Sequence, residues 1–439
     1  MTDMREEKES GVSPVGNESP MGDPKRTKYV VLIGDGMADL PVDSLGGATP
    51  LEAARTPAMD RLARMGEVGT VLTIPNGLPP GSDVANLSLM GYDPMEYYTG
   101  RGPIEAAAMG VKMNPEDVAF RCNLVTLDFR DGRVFMVDYS AGHISTEEAG
   151  LLLKEFKPLV PARSFSLHVG VSYRHLLLWR GGPEGLSTVP PHDYTGQNVT
   201  EAWHFYEEEP LLYDILTKAV TFFHRHPVNV TRRAKGLNPA NSLWPWGQGR
   251  RPQIPRFEER YGLAGAVICA VDLIKGLGVL AGFEHIPVAG ATGFLDTNYQ
   301  GKADAALKAI EERDIVFVHV EAPDEAGHMG SAEEKVRAIE RFDKEVVARV
   351  LNGLVDCGHP FRVLVVTDHY TPVALRTHTR GAVPFVIYDS HAHGDNPDAV
   401  YSERAAKAGI LHMANGPELM KYFLGVPPVA QEEEPDTEE

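Results

Sequence analysis

The chain is short of cysteine. Cys122, Cys269 and Cys357 are the three present in 439 residues, far apart and with no CxxC spacing, so neither a disulfide framework nor a zinc knuckle is expected. It also lacks a long apolar run. The most apolar stretch, Leu263 to Gly282, is interrupted by Asp272 and Lys275 and cannot cross a bilayer cheaply. The opening MTDMREEKESGVSPVGNESPMGDPKRT has none of the apolar core that a secretory signal needs. Together these absences point to a cytoplasmic protein without a membrane segment. Net positive charge is missing too. The formal charge is −19; residues 1–27 carry −2 and the segment after Pro428 carries −6, which leaves −11 on the body. Nucleic acid or an anionic membrane surface is therefore not the expected partner, because a phosphate backbone is normally met by a basic face. A small anionic substrate stays compatible if Arg and Lys are concentrated locally.

What is present is enough apolar material, 43% of residues, for a large core, over a length that favours two domains. Residues 1–27 and 428–439 are polar, charged and rich in Gly, Pro or Glu, and are expected to be disordered tails. Between them, KYVVLIGDGMAD reads as a strand running into a Gly-flanked loop, followed by a helical TPLEAARTPAMDRLARMG. The same grammar returns in DIVFVHVEAPDEAGH, with a helix starting near Ser331, and in FRVLVVTDHYTPV. Strands alternating with helices predict an α/β core, a mainly parallel sheet with helices on both faces. The middle reads differently. VAFRCNLVTLDFRDGRVFMVDYS has the pattern of a hairpin with an Asp-Gly turn, and SFSLHVGVSYRHLLLWRGG that of a second strand pair. An inserted α+β domain over residues 113–262 is expected, with the core made of residues 28–112 and 263–427.

In open α/β sheets chemistry gathers at the carboxyl ends of strands. Asp35 follows the first strand, Asp324 and His328 the second, Asp368 and His369 the third, and His378 precedes another strand. Asp324 and His328, four apart, share one face if their segment is helical. Each has an ordinary alternative: a turn aspartate bonding nearby amides, or a surface carboxylate and imidazole. Ser82, at the Gly-Ser junction of PPGSDVANLSLMGYDP, is expected at a helix N-cap, where capping alone would explain it. The alternative is a nucleophile whose hydroxyl a metal and the helix end activate. Taken together, carboxylates and imidazoles at several strand ends suit a pair of divalent cations, manganese foremost among Mn²⁺, Zn²⁺, Co²⁺ and Mg²⁺. Such a pair can stabilise both the attacking and the leaving oxygen in a phosphoryl transfer.

The series GDGMAD, GSDVANLSLMGYDPMEYYTGRGPIEAA, SAGHIS, VSYRHLL, NPANSLWPWGQG, HVEAPDEAGHMG, VTDH and THT, from about Lys28 to Gly425, resembles the archaeal-type cofactor-independent phosphoglycerate mutases of the alkaline phosphatase superfamily. The resemblance implies one metal held by Asp324, His328 and His378. It implies a second held by Asp35, Asp368, His369 and the oxygen of Ser82, the residue phosphorylated in the intermediate. It implies no 2,3-bisphosphoglycerate, and a substrate grip from His143, Arg174, Lys275 and Arg101. The expected reaction is interconversion of 3- and 2-phosphoglycerate. Archaeal members commonly have histidine where this chain has Asn86, and relatives with asparagine there have been proposed to be homoserine kinases. That reaction is the alternative, though no GxxxxGK[ST] loop occurs here. A metal-dependent phosphatase comes third, and a silent binding module is disfavoured by the intact Ser82 and six metal-capable side chains.

Overall fold

A computed structural model of the protein describes residues 26–392 and 394–426; both expected tails fall outside this range except for Arg26 and Thr27. Its strands are β1 (Lys28–Gly34), β2 (Glu67–Leu72), β3 (Val118–Arg130), β4 (Arg133–Asp138), β5 (Phe165–His168), β6 (Arg174–Trp179), β7 (Ser242–Arg250), β8 (Gly265–Ile268), β9 (Glu284–His285), β10 (Ile315–Val320), β11 (Phe361–Val366), β12 (Ala382–Asp389) and β13 (Leu411–Met413). One sheet has the order β13-β2-β12-β11-β1-β10-β8-β9. Its pairings are parallel except where β12 runs antiparallel to β11 and β2.

The central strands are apolar on both faces because both are covered. Along β1, Val30 and Leu32 enter one core with helices Pro57–Met65, Tyr299–Glu312, Ala332–Arg341 and Ala348–Cys357, while Val31 and Ile33 enter another with helices Ser82–Leu89, Asp272–Leu280 and Gly416–Leu424. The helix expected over TPLEAARTPAMDRLARMG is split into Pro50–Ala53 and Pro57–Met65. Pro57 disfavours the α region for Thr56, which lies at φ −124°, ψ 58°.

A second, five-stranded sheet joins β4, β3, β6 and β5 in that order, with β7 on β3, and is antiparallel throughout. β3 turns into β4 through Asp131 and Gly132 at φ 50° and 68°, a two-residue Asp-Gly turn whose twist suits a hairpin. Helices Thr146–Phe156 and Pro210–Arg225 close its core.

The helix Arg101–Ala108 is wedged between the two sheets' layers. On one side a Cβ at Gly276, in helix Asp272–Leu280, would lie 2.0 Å from the Ile104 carbonyl oxygen. On the other, a Cβ at Gly102 would lie 2.1 Å from the Ala119 carbonyl of β3. These elements meet backbone to backbone. Gly276→Ala is therefore expected to cost about 1–3 kcal/mol through overpacking, outweighing alanine's helical advantage of about 1 kcal/mol. The check is a fall in apparent melting midpoint. An unchanged or raised midpoint would mean that the two helices separate freely.

Candidate active site

The carboxyl ends of β1, β10 and β11 open onto one cleft. β1 delivers Asp35, with Gly36 in the left-handed region at φ 57°; a Cβ there would lie 2.5 Å from both Asp324 Oδ1 and Thr371 Oγ1, so only glycine fits. β10 leads into helix Ala322–Met329, which carries Asp324 and His328 one turn apart. β11 runs into Asp368 and His369, both fully buried, and the following loop brings back His378.

The ring nitrogen of His369 lies 3.5 Å from Asp35 Oδ1, 3.5 Å from Asp368 Oδ2 and 3.0 Å from Ser82 Oγ. Asp324 reaches His328 at 3.2 Å through Oδ2 and His378 at 3.4 Å through Oδ1. The two histidines' Nε2 atoms are 3.0 Å apart. Among the described residues, two groups of ligand atoms are compact enough to hold a cation each: Asp35, Asp368 and His369, and Asp324, His369 and His378. His369 belongs to both, and His328 borders the second.

Ser82 is the first residue of helix Ser82–Leu89, with Gly81 at the N-cap position and no side-chain cap. This differs from the expected N-cap serine. Its hydroxyl is turned to His369 instead, so capping does not account for it. Asn86, one turn on, donates through Nδ2 to Asp368 Oδ2 at 2.8 Å and to the Ser82 carbonyl at 2.9 Å. It ties the serine's helix to the acidic group.

The donor set fits divalent cations. Asp35 Oδ1 is buried with no hydrogen-bond partner. Burial, reinforced by the charges of Asp368 and Asp324, raises the Asp35 pKa well above the carboxylate range. Burial also opposes the charge on His328, but its bond to Asp324 outweighs this and lifts it to about 9, a proton standing where a cation would. His328 Nδ1 lies 3.0 Å from the Arg376 carbonyl, to which it can donate, leaving Nε2 free to ligate. Burial, with His378 beside it, lowers His369 to about 4 and keeps that imidazole neutral, as a ligand must be.

Sequence reasoning missed a buried layer behind these groups. His319, inside β10, lies 3.5 Å from Asp35 through Nε2 and 3.3 Å from Glu321 through Nδ1. Lys302, fully buried, donates to Glu321 at 2.7 Å and to the His319 carbonyl at 2.8 Å. A histidine inside an otherwise apolar parallel strand was the available signal.

The cleft continues into a cavity of about 340 Å³ whose far walls come from the second sheet. Arg101 and Arg174 line it, together with Arg121, His192, Tyr139 and Tyr173, which the sequence reading did not single out. His143 is exposed, at φ 47°, with its ring 6.3 and 6.1 Å from those of Tyr139 and Tyr173. Lys275 is half-buried on helix Asp272–Leu280 and is not among the lining residues. Among the described residues, no helix is long and apolar enough to cross a membrane.

Comparison with known proteins agrees with this geometry. Residues 63–229 match the family described as 2,3-bisphosphoglycerate-independent phosphoglycerate mutase. A protein of that name from Methanosarcina barkeri is 50% identical over 395 residues, covering 90% of this chain and 98% of the relative. A probable one from Geobacter sulfurreducens is 48% identical over 397 residues, covering 90% and 99%. Among solved structures, a Pyrococcus horikoshii protein superposes with a TM-score of 0.78 at 30% identity, covering 93% of this chain and 99% of its own. A cofactor-independent phosphoglycerate mutase from Thermoplasma acidophilum gives 0.60 at 26% identity, covering 91% and 99%.

Proposed function

We propose, since this chain belongs to the 2,3-bisphosphoglycerate-independent phosphoglycerate mutase family, that it interconverts 3- and 2-phosphoglycerate in the cytoplasm, passing the phosphoryl group through Ser82. The observation that carries this reading is the Ser82 hydroxyl, which caps no helix N–H. It sits 3.0 Å from His369 at the junction of two acidic and histidine groups. Asp35, Asp368 and His369 with Ser82 would hold one divalent ion, and Asp324, His328 and His378 a second. When bound, the pair supplies Lewis-acid charge that favours the serine alkoxide and the transferring phosphoryl oxygens.

Ser82 Oγ attacks phosphorus and the glycerate oxygen leaves, giving phospho-Ser82 and bound glycerate; the other hydroxyl then attacks and Ser82 leaves. The first-turn N–H groups of helix Ser82–Leu89 favour the phosphoryl oxygens. Asn86 keeps Asp368 and the Ser82 backbone in fixed relation. Arg101, Arg121 and Arg174 present the cationic wall that a three-carbon substrate with both a carboxylate and a phosphate needs. Walls from the second sheet, Arg121 and Arg174 among them, would shield phospho-Ser82 from water.

The test offers metal-loaded protein 3-phosphoglycerate in one reaction and homoserine with ATP in another. Formation of 2-phosphoglycerate is expected in the first and nothing in the second. With labelled 3-phosphoglycerate and excess unlabelled glycerate, the label should stay on its original carbon skeleton. Phosphohomoserine without 2-phosphoglycerate would overturn the mutase reading and leave Ser82 and the metal groups in place.

A further inference from the structure

Most of the segment NPANSLWPWGQG has a structural task. Trp244 is fully buried, its indole N–H donating to the Val189 carbonyl at 2.9 Å, and the Gln248 amide donates to the Leu186 carbonyl. Trp246 differs. It sits opposite Arg121 in the β3–β7 ladder, where the register shifts, and just before Gly247 at φ 59°. Its indole N–H donates to Asn123 Oδ1 at 3.0 Å, and the same oxygen accepts from Arg121 Nε at 3.3 Å. The guanidinium carbons of Arg121 and Arg101 lie 5.1 and 5.6 Å from the indole centroid. Trp246 is buried and not part of the cavity lining, whereas both arginines line it.

The two guanidinium groups are undersupplied with acceptors. Glu105 Oε1 takes the Arg121 Nη1 bond at 2.6 Å and lies 3.6 Å from Arg101 Nε, too far for a hydrogen bond. That Nε is buried without a hydrogen-bond partner. Asp83, the other carboxylate near Arg101, is engaged by the Tyr98 hydroxyl at 2.7 Å. An aromatic face flanked by two guanidinium groups, both on residues that line a cavity, is an arrangement suited to gripping an oxyanion.

We propose that Trp246 is a positioning residue that holds Arg101, from the helix beside the main sheet, and Arg121, from the second sheet, as one paired grip for an oxyanion of phosphoglycerate. The proposal rests on the mutase reading. The experiment measures KM and kcat for 3-phosphoglycerate, and Kd for 3-phosphoglycerate, glycerate and glycerol 3-phosphate, on metal-loaded parent, Trp246→Leu, Trp246→Phe and Arg121→Lys. Trp246→Leu is expected to raise KM about tenfold while kcat falls less than threefold. Trp246→Phe, which keeps a ring face, should recover most of the loss. Arg121→Lys, which leaves the indole untouched, should also raise KM, because an ammonium lacks the planar fork of the guanidinium. Weakening confined to 3-phosphoglycerate and glycerate supports the grip and assigns it to the carboxylate; weakening shared by glycerol 3-phosphate but not glycerate supports it and assigns the phosphate. KM within twofold of the parent in Trp246→Leu overturns the positioning role, and the same result in Arg121→Lys overturns the paired grip, even if the melting midpoint falls. A parent that neither binds nor converts 3-phosphoglycerate overturns the mutase reading and this grip together.

Discussion

Ser82→Ala is expected to lower kcat for phosphoglycerate interconversion by at least about a thousandfold, roughly 4 kcal/mol of barrier, with KM changed by no more than a few-fold. The size follows from losing the attacking atom itself. Preserved binding follows from position, since the arginines that line the cavity come from other elements. The fold should barely register the change. Removing a true N-cap serine costs about 0.5–2 kcal/mol, but the Ser82 hydroxyl caps nothing and faces His369. Activity loss without a matching loss of melting midpoint is thus the signature. Turnover within about tenfold of the parent, under ~1.4 kcal/mol, would remove Ser82 from the chemistry.

Removal of divalent metal is expected to have an effect of the same order. Asp35, Asp324 and Asp368 are buried at one cleft, and Asp35 keeps an oxygen without a hydrogen-bond partner. Protonation is the protein's fallback for such a group, and a protonated Asp35 is no ligand and no electrostatic aid. Chelation should abolish turnover, and Mn²⁺ should restore it. Metal at about a hundred times its dissociation constant should add about 2.7 kcal/mol to the apparent stability, seen as a rise in melting midpoint without any substrate present. Metal-free protein with full activity would refute the two-cation arrangement. So would a melting midpoint indifferent to every divalent ion tried.

The parts of this site legible in the sequence are those where a local pattern carries the geometry. An apolar run that stops at Asp35 or at Asp368-His369 announces a buried strand opening at a polar end, and Asp324 with His328 needs only one turn of helix to align. The Asp-Gly at 131–132 likewise fixes its hairpin. What stayed hidden depends on partners distant in the chain. Lys302 and Glu321 look like surface charges until the fold buries them against each other at 2.7 Å. Arg121 sits among apolar neighbours in β3, and nothing nearby says that Glu105 and Trp246 await it. Lys275 shows the converse, a cation plausible by motif whose place on the helix leaves it outside the cavity lining. Ser82, expected at the N-cap, stands one residue further in, and that residue separates a cap from a hydroxyl that reaches His369.

The wedge formed by helix Arg101–Ala108 decides how this protein can be recombined with its relatives. The chain passes to the second sheet between Ala108 and Val118 and returns to the first between Arg250 and Gly265, and cuts at 113 and 263 within these passages would exchange the middle segment. Yet Arg101 and Glu105 lie before the first crossing, whereas Arg121, Asn123 and Trp246 lie after it, and Gly102 meets Ala119 with no space for a side chain. A chimera that grafts only residues 113–262 would divide both the cation pair and this glycine seam between two parents. A graft that begins ahead of Gly100 and carries a matching surface around Gly276 would transplant them whole.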